Sequence, residues 1–139
     1  NFTSLFHNAL VGSEPTPKCG GYYLLNFDFS GIISSSQSEL ERSFTNNTRF
    51  SLQNFIDRYN LSLTLHEGSS AADQLAEFFS IGQPENGPIF VNIDEYAHFA
   101  NELLSFRIDL FQDTISRGGF IRKWYEVLKR AIKTIVDRG

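Results

Sequence analysis

The sequence predicts an α/β fold, a few-stranded parallel sheet with flanking helices. Three observations carry this. Tyr22–Phe29 (YYLLNFDF) and Pro88–Ile93 (PIFVNI) are short apolar runs bounded by glycine, serine or acids, as strands are. Between and after them, apolar residues recur at steps of three and four, the period of helices. The resulting order, strand, helices, strand, helices, pairs the strands in parallel through a helical crossover.

The elements follow in order. Residues 1–21 open with an apolar stretch (Phe2, Leu5, Phe6, Leu10, Val11) and pass into a loop rich in proline and glycine. Tyr22–Phe29 is nearly all apolar, so the reading expects it to be covered on both faces. The polar run Ser34–Ser38 caps a helix starting near Glu39. Leu40, Phe44, Phe55, Ile56 and Tyr59 keep helical spacing, and Ser51 offers a second cap. Residues 39–59 are therefore expected as one broken helix or two short ones. Leu61–Leu65 alternates and reads as a short extended piece. Ser69 or Ser70 caps a helix carrying Ala71, Leu75 and Phe78 that ends near Gly82. After the second strand, Tyr96–Ile115 is helical, with two adjacent apolar rows (Phe99, Leu103, Phe106, Leu110 and Leu104, Ile108, Phe111, Ile115) that predict a wide buried face. A final helix over about 120–137 sets Ile121, Trp124, Leu128, Ile132 and Ile135 against Arg122, Glu126, Arg130 and Lys133.

With 139 residues, 41% of them hydrophobic and 20% charged, the chain suits one globular domain and excludes a disordered one. No apolar run approaches the roughly 20 residues of a membrane span, and no signal-peptide pattern opens the chain. Cys19, the one cysteine, has no internal partner, which suits a reducing, cytoplasmic setting. The chain has no methionine, and we expect it to be processed or a piece of something longer. The net charge of −4 divides unevenly: residues 117–139 carry +5 and residues 1–116 carry −9. A basic end is a candidate for nucleic acid, but no aromatic residues interleave on it as a stacking platform would require. A solvated helix face is the plainer reading.

The strongest chemical signal is Ile89–Glu95 (IFVNIDE), an apolar strand ending in two acids. This is the Walker B arrangement. The strand fixes both carboxylates at the edge where ligands of α/β sheets bind. Asp94 would hold hydrated Mg²⁺, a hard cation that prefers oxygen, and Glu95 would orient or deprotonate the attacking water. The alternative is structural: both acids favour the N-terminus of the next helix through its dipole. Asp28 ends the first strand and is an accessory candidate with Ser30, as a metal neighbour or as a cap for the loop. His7 and His66 lack partners at ligand spacing, so no zinc site is expected; His98 follows the acids and could face a site, but a lone histidine at a helix start reads as a surface or capping residue.

Pro88–Phe106 (PIFVNIDEYAHFANELLSF) resembles the AAA-ATPase-like family, whose members are often fused to a PD-(D/E)XK nuclease-like domain. That family carries an apolar strand, Asp-Glu-Tyr-Asp and a helix. Gly118–Lys129 (GGFIRKWYEVLK) is similar to its next signature helix, and Tyr22–Ser30 (YYLLNFDFS) to its strand ending in Asp-Phe-Ser. The resemblance implies a partial P-loop NTPase-like three-layer fold. Residues 1–139 would then be a single partial domain, the central part, with the Walker B strand at 88–95 and without the Walker A and sensor strands. Ala97 stands where the family has its second Asp. No G-x-x-x-x-G-K-[ST] loop occurs, nor even a Gly-Lys pair, so the chain has no cradle of its own for β and γ phosphates.

ATP and Mg²⁺ are thus expected as cofactors of a full-length protein, with none bound to this chain alone, and the chain by itself is expected to be inactive. Two other functions compete. One is a non-catalytic protein-interaction module with structural Asp94 and Glu95. The other is a metal-dependent nuclease using Asp28, Asp94 and Glu95, which lacks the lysine that chemistry needs beside its acids. Partners expected are a second copy, through an exposed strand edge or an apolar helix face, and a C-terminal nuclease-like domain. The N-terminal segment around Phe2–Val11 is the alternative cover for that edge.

Overall fold

The computed structural model describes residues 19–33, 35–81, 87–106 and 119–136, with isolated positions before and between them. Its elements are β1 (Tyr23–Asp28), α1 (Gln37–Arg58), α2 (Ala71–Ile81), β2 (Ile89–Asp94), α3 (Tyr96–Phe106) and α4 (Phe120–Val136). β1 and β2 pair in parallel from Tyr23↔Ile89 to Asp28↔Asp94. The start of the pair is tight: a Cβ on Gly87 would lie 3.1 Å from the Gly21 carbonyl oxygen. The fold is α/β, as the sequence predicts.

One face of the sheet is buried and the other open. Leu25 and Phe27 are fully buried, whereas Leu24, Asn26 and Asp28 are exposed. On β2 the exposed set is Phe90, Asn92 and Asp94. The expected cover on both faces is therefore absent among the described residues. The reason lies in the period of two: Asn26 and Asp28 share a face, and so do Asn92 and Asp94.

α1 is a single unbroken helix of 22 residues. Ser36 caps it by accepting the Glu39 N–H at 3.3 Å. Ser51 is not a second cap but a buried mid-helix residue on the same face as Thr48, Leu52 and Phe55. Small polar side chains sit there because the helix presses close to β1. α1 ends in a Schellman turn: Leu61 N–H reaches Ile56 C=O at 3.0 Å, and Asn60 N–H reaches Asp57 C=O at 3.3 Å. Asn60 takes the left-handed backbone this turn needs, with φ 51°. Leu61–Leu65 joins no strand and turns at Ser62, where the Leu63 N–H reaches the Leu61 C=O at 2.9 Å; Leu65 is buried and Leu61 and Leu63 pack on the core. Ser70 caps α2, accepting the Asp73 N–H at 3.2 Å and donating to the Asp73 carboxylate at 2.7 Å.

The core is aromatic. Trp124 packs edge-on against Phe27, Phe29, Phe44 and Tyr125 at centroid distances of 5.0, 5.9, 5.6 and 5.0 Å. α2 packs on α4, and α1 on both β1 and α2. On α3 the row Phe99, Leu103 is buried, but Leu104 and Ile108 are exposed, so only one of the two expected rows is covered among the described residues. Phe106, Leu110, Phe111, Ile115 and Ile135 lie outside the described side chains, as does Phe2–Phe6. On α4, Ile121 and Leu128 are buried beside Trp124, and Arg122 pairs with Glu126 at 3.0 Å.

Candidate functional site

Two strands of like ending build the site. β1 finishes Asn26-Phe27-Asp28 and β2 finishes Asn92-Ile93-Asp94. Parallel register sets Asn26 beside Asn92 and Asp28 beside Asp94. Because side chains alternate, all four project from the open face, the two acids at its carboxyl end. Behind them Asn92 Nδ2 donates to Asn26 Oδ1 at 2.5 Å, tying the strands together one step before the acids. A third pair, Leu24 and Phe90, completes this face.

Each acid is held differently. The Asp28 carboxylate accepts the Ser30 N–H at 2.9 Å. This bond and that of the Ser30 hydroxyl hold its carboxyl below the usual aspartate value. The loop-capping reading of Asp28 is thus realised at Ser30, and it leaves the second carboxylate oxygen outside that bond. Asp94 Oδ1 accepts the Glu95 N–H at 3.0 Å, while the Asp94 carbonyl closes the sheet by accepting the Phe29 N–H at 3.1 Å. Glu95 caps α3 with its backbone: its carbonyl accepts the Phe99 N–H at 3.0 Å. Its side chain has no hydrogen-bond or ion-pair partner among the described residues. Glu95 also adopts φ 56°, a left-handed conformation uncommon for a residue other than glycine.

Helix capping uses the Glu95 main chain and leaves the Glu95 carboxylate exposed at the sheet edge.

The donor set is hard oxygen. Asp28 and Asp94, in register at the carboxyl end of the sheet, fit a hydrated divalent ion such as Mg²⁺, which takes one or two carboxylates and keeps several waters. Among the described residues no cluster of three or more His, Cys, Asp or Glu could hold a metal by itself. Among the described residues no basic side chain pairs with these acids, so phosphate would approach them only with a cation between. Ala97 and His98 are exposed at the start of α3.

The sequence reading missed the Asn26–Asn92 pair and Asn47, which donates from Nδ2 to the Asp28 carbonyl at 2.7 Å. The amide pair was visible as the repeated Asn-x-Asp ending. Asn47 was not, because only the fold brings mid-α1 beside the end of β1. A separate apolar hollow of about 290 Å³ lies between α3 and α4, lined by Tyr96, Phe99, Leu103, Ile121 and Tyr125 among others. Burial, and secondarily Tyr96, push the Tyr125 hydroxyl well above the usual tyrosine value. Among the described residues no carboxylate lines that hollow.

No helix among the described residues is long and apolar enough to cross a membrane. The profile of the predicted AAA-ATPase family, AAA-ATPase-like, matches residues 1–138. No curated protein and no solved structure matches the chain. A match over nearly every residue, on a chain whose acids end a parallel strand, shows that the protein belongs to the AAA-ATPase-like family.

Proposed function

We propose that this chain is the central, Walker B part of a cytoplasmic ATPase domain. Asp94 is the residue for magnesium, through water, and Glu95 the residue that activates the hydrolytic water. The observation that carries the reading is the free Glu95 carboxylate, held at the sheet edge by a backbone that caps α3 without it. Asp28 and Ser30 are accessory: the Ser30 N–H keeps Asp28 ionised beside Asp94. Bound magnesium would neutralise phosphate charge there. Asp94 would orient its water shell, and Glu95 would take a proton from the attacking water.

ATP would be held by a phosphate loop that residues 1–139 do not contain. The chain alone should therefore bind Mg-ATP no tighter than about 1 mM and turn none over. Isothermal titration checks this, and micromolar affinity would contradict it. The non-catalytic module is the competing outcome, and it requires that Glu95 be replaceable without loss in the full-length protein. We further propose self-association through β2. The bonds from Tyr23 N–H to Pro88 and from Phe29 N–H to Asp94 turn one side of β2 to β1. The main-chain groups of Ile89, Val91 and Ile93 then point the other way, where no strand pairs among the described residues. A nuclease-like domain is a partner the family resemblance suggests.

A further inference from the structure

The opposite edge of the sheet leaves main-chain groups open, and at its carboxyl end it shares Asp28 and Ser30 with the candidate site. In a parallel ladder, alternate residues turn their N–H and C=O to opposite sides. Tyr23 and Phe29 bond to β2, so Leu24, Asn26 and Asp28 face outward, toward α1. α1 caps the two ends of this edge. Tyr59 Oη accepts the Leu24 N–H at 3.0 Å, and Asn47 Nδ2 donates to the Asp28 C=O at 2.7 Å. Between the caps, the Leu24 C=O, both main-chain groups of Asn26 and the Asp28 N–H have no partner among the described residues.

A groove runs along this gap. Its larger part, about 350 Å³, is lined by Asn26, Asp28, Ser30, Asn47, Phe50, Ser51 and Asn54. Its continuation, about 190 Å³, adds Leu24, Phe55 and Arg58 and shares Asn26, Ser51 and Asn54. The buried Oδ1 of Asn47 has no hydrogen-bond partner. Phe50, 68% exposed, stands over a polar trough where a solvated helix face would carry a charge. The ends differ in sign: Asp28 lies at the carboxyl end of β1 and Arg58 beside Leu24 at its amino end.

We propose that this groove binds a short extended peptide that adds to β1 as an antiparallel strand. The central residue of the peptide exchanges both main-chain hydrogen bonds with Asn26. Antiparallel direction follows from charge, because it sets a basic amino end against Asp28 and an acidic carboxyl end against Arg58. The free edge spans about four residues at roughly 3.3 Å each, so the recognised segment is four to five residues long.

The test uses the whole chain and the peptide Lys-Val-Thr-Val-Glu, followed by amide NMR. The expected result is saturable binding with Kd below about 1 mM, with shifts at the amides of Asn26, Asp28, Ser51 and Asn54. N-methylation of the central threonine removes one main-chain donor and should weaken binding about tenfold. The reversed peptide Glu-Val-Thr-Val-Lys should bind more weakly, and Arg58→Glu should narrow or invert that preference. Arg58 is a surface residue and pairs with no acid among the described residues, so the variant should fold, as circular dichroism would verify. Four outcomes overturn the proposal: no shift at Asn26 with about 5 mM peptide, shifts elsewhere, equal binding of the N-methylated peptide, or concentration-dependent Asn26 shifts without peptide. The last would name a second copy as the occupant.

Discussion

Glu95 joins strain and exposure in one residue. A non-glycine side chain at positive φ costs on the order of 1 kcal/mol, and here no side-chain bond offsets it. Glu95→Gly should therefore leave the chain as stable or up to about 1 kcal/mol more stable, the gain limited by glycine's greater freedom when unfolded. Urea denaturation checks this, and a loss above about 1 kcal/mol would mean that the side chain holds the fold. The two acids were legible from IFVNIDE, since an apolar run fixes where the strand stops. The strain was not, because φ depends on how α3 leaves the sheet.

At the level of elements, α4 holds the sheet through Trp124. That ring is fully buried and touches aromatic residues from β1, the loop after it, and α1. Trp124→Ala should cost about 3–5 kcal/mol. Trp124→Phe should cost clearly less, since it also removes an indole N–H that is buried without a partner. Chemical denaturation followed by far-ultraviolet circular dichroism measures both, and equal losses would contradict the account. Helix periodicity placed α2 and α4, although Ile132, on the apolar row read for α4, is 49% exposed. It split α1, because Asn46, Asn47, Thr48 and Ser51 look like a break. Asn47, Thr48 and Ser51 are instead the small, polar face that lets the helix approach β1 and reach Asp28. It also overstated α3: spacing says which residues share a face, and packing decides how much of that face is covered.

At the scale of the whole molecule, the open sheet face and the outer edge of β2 set the expected behaviour of the isolated chain. Phe90 is 55% exposed and Leu24 40% exposed on that face. An unpaired apolar edge recruits another strand, so light scattering over a range of concentrations should show a dimer or larger species. A strict monomer in which residues 1–11 are disordered would contradict the expectation. The sequence could show that Asp28 and Asp94 end their strands, but only the register places them side by side.

The central claim is that Glu95 activates water and Asp94 serves magnesium. The most direct test measures hydrolysis and nucleotide binding in parallel in the full-length, loop-bearing protein carrying Glu95→Gln or Asp94→Asn. The account predicts that both variants lose roughly a hundredfold or more in hydrolysis. Glu95→Gln should hold Mg-ATP nearly as tightly as the unaltered protein, and Asp94→Asn should bind it more weakly. Unaltered hydrolysis in both variants would contradict the assignment.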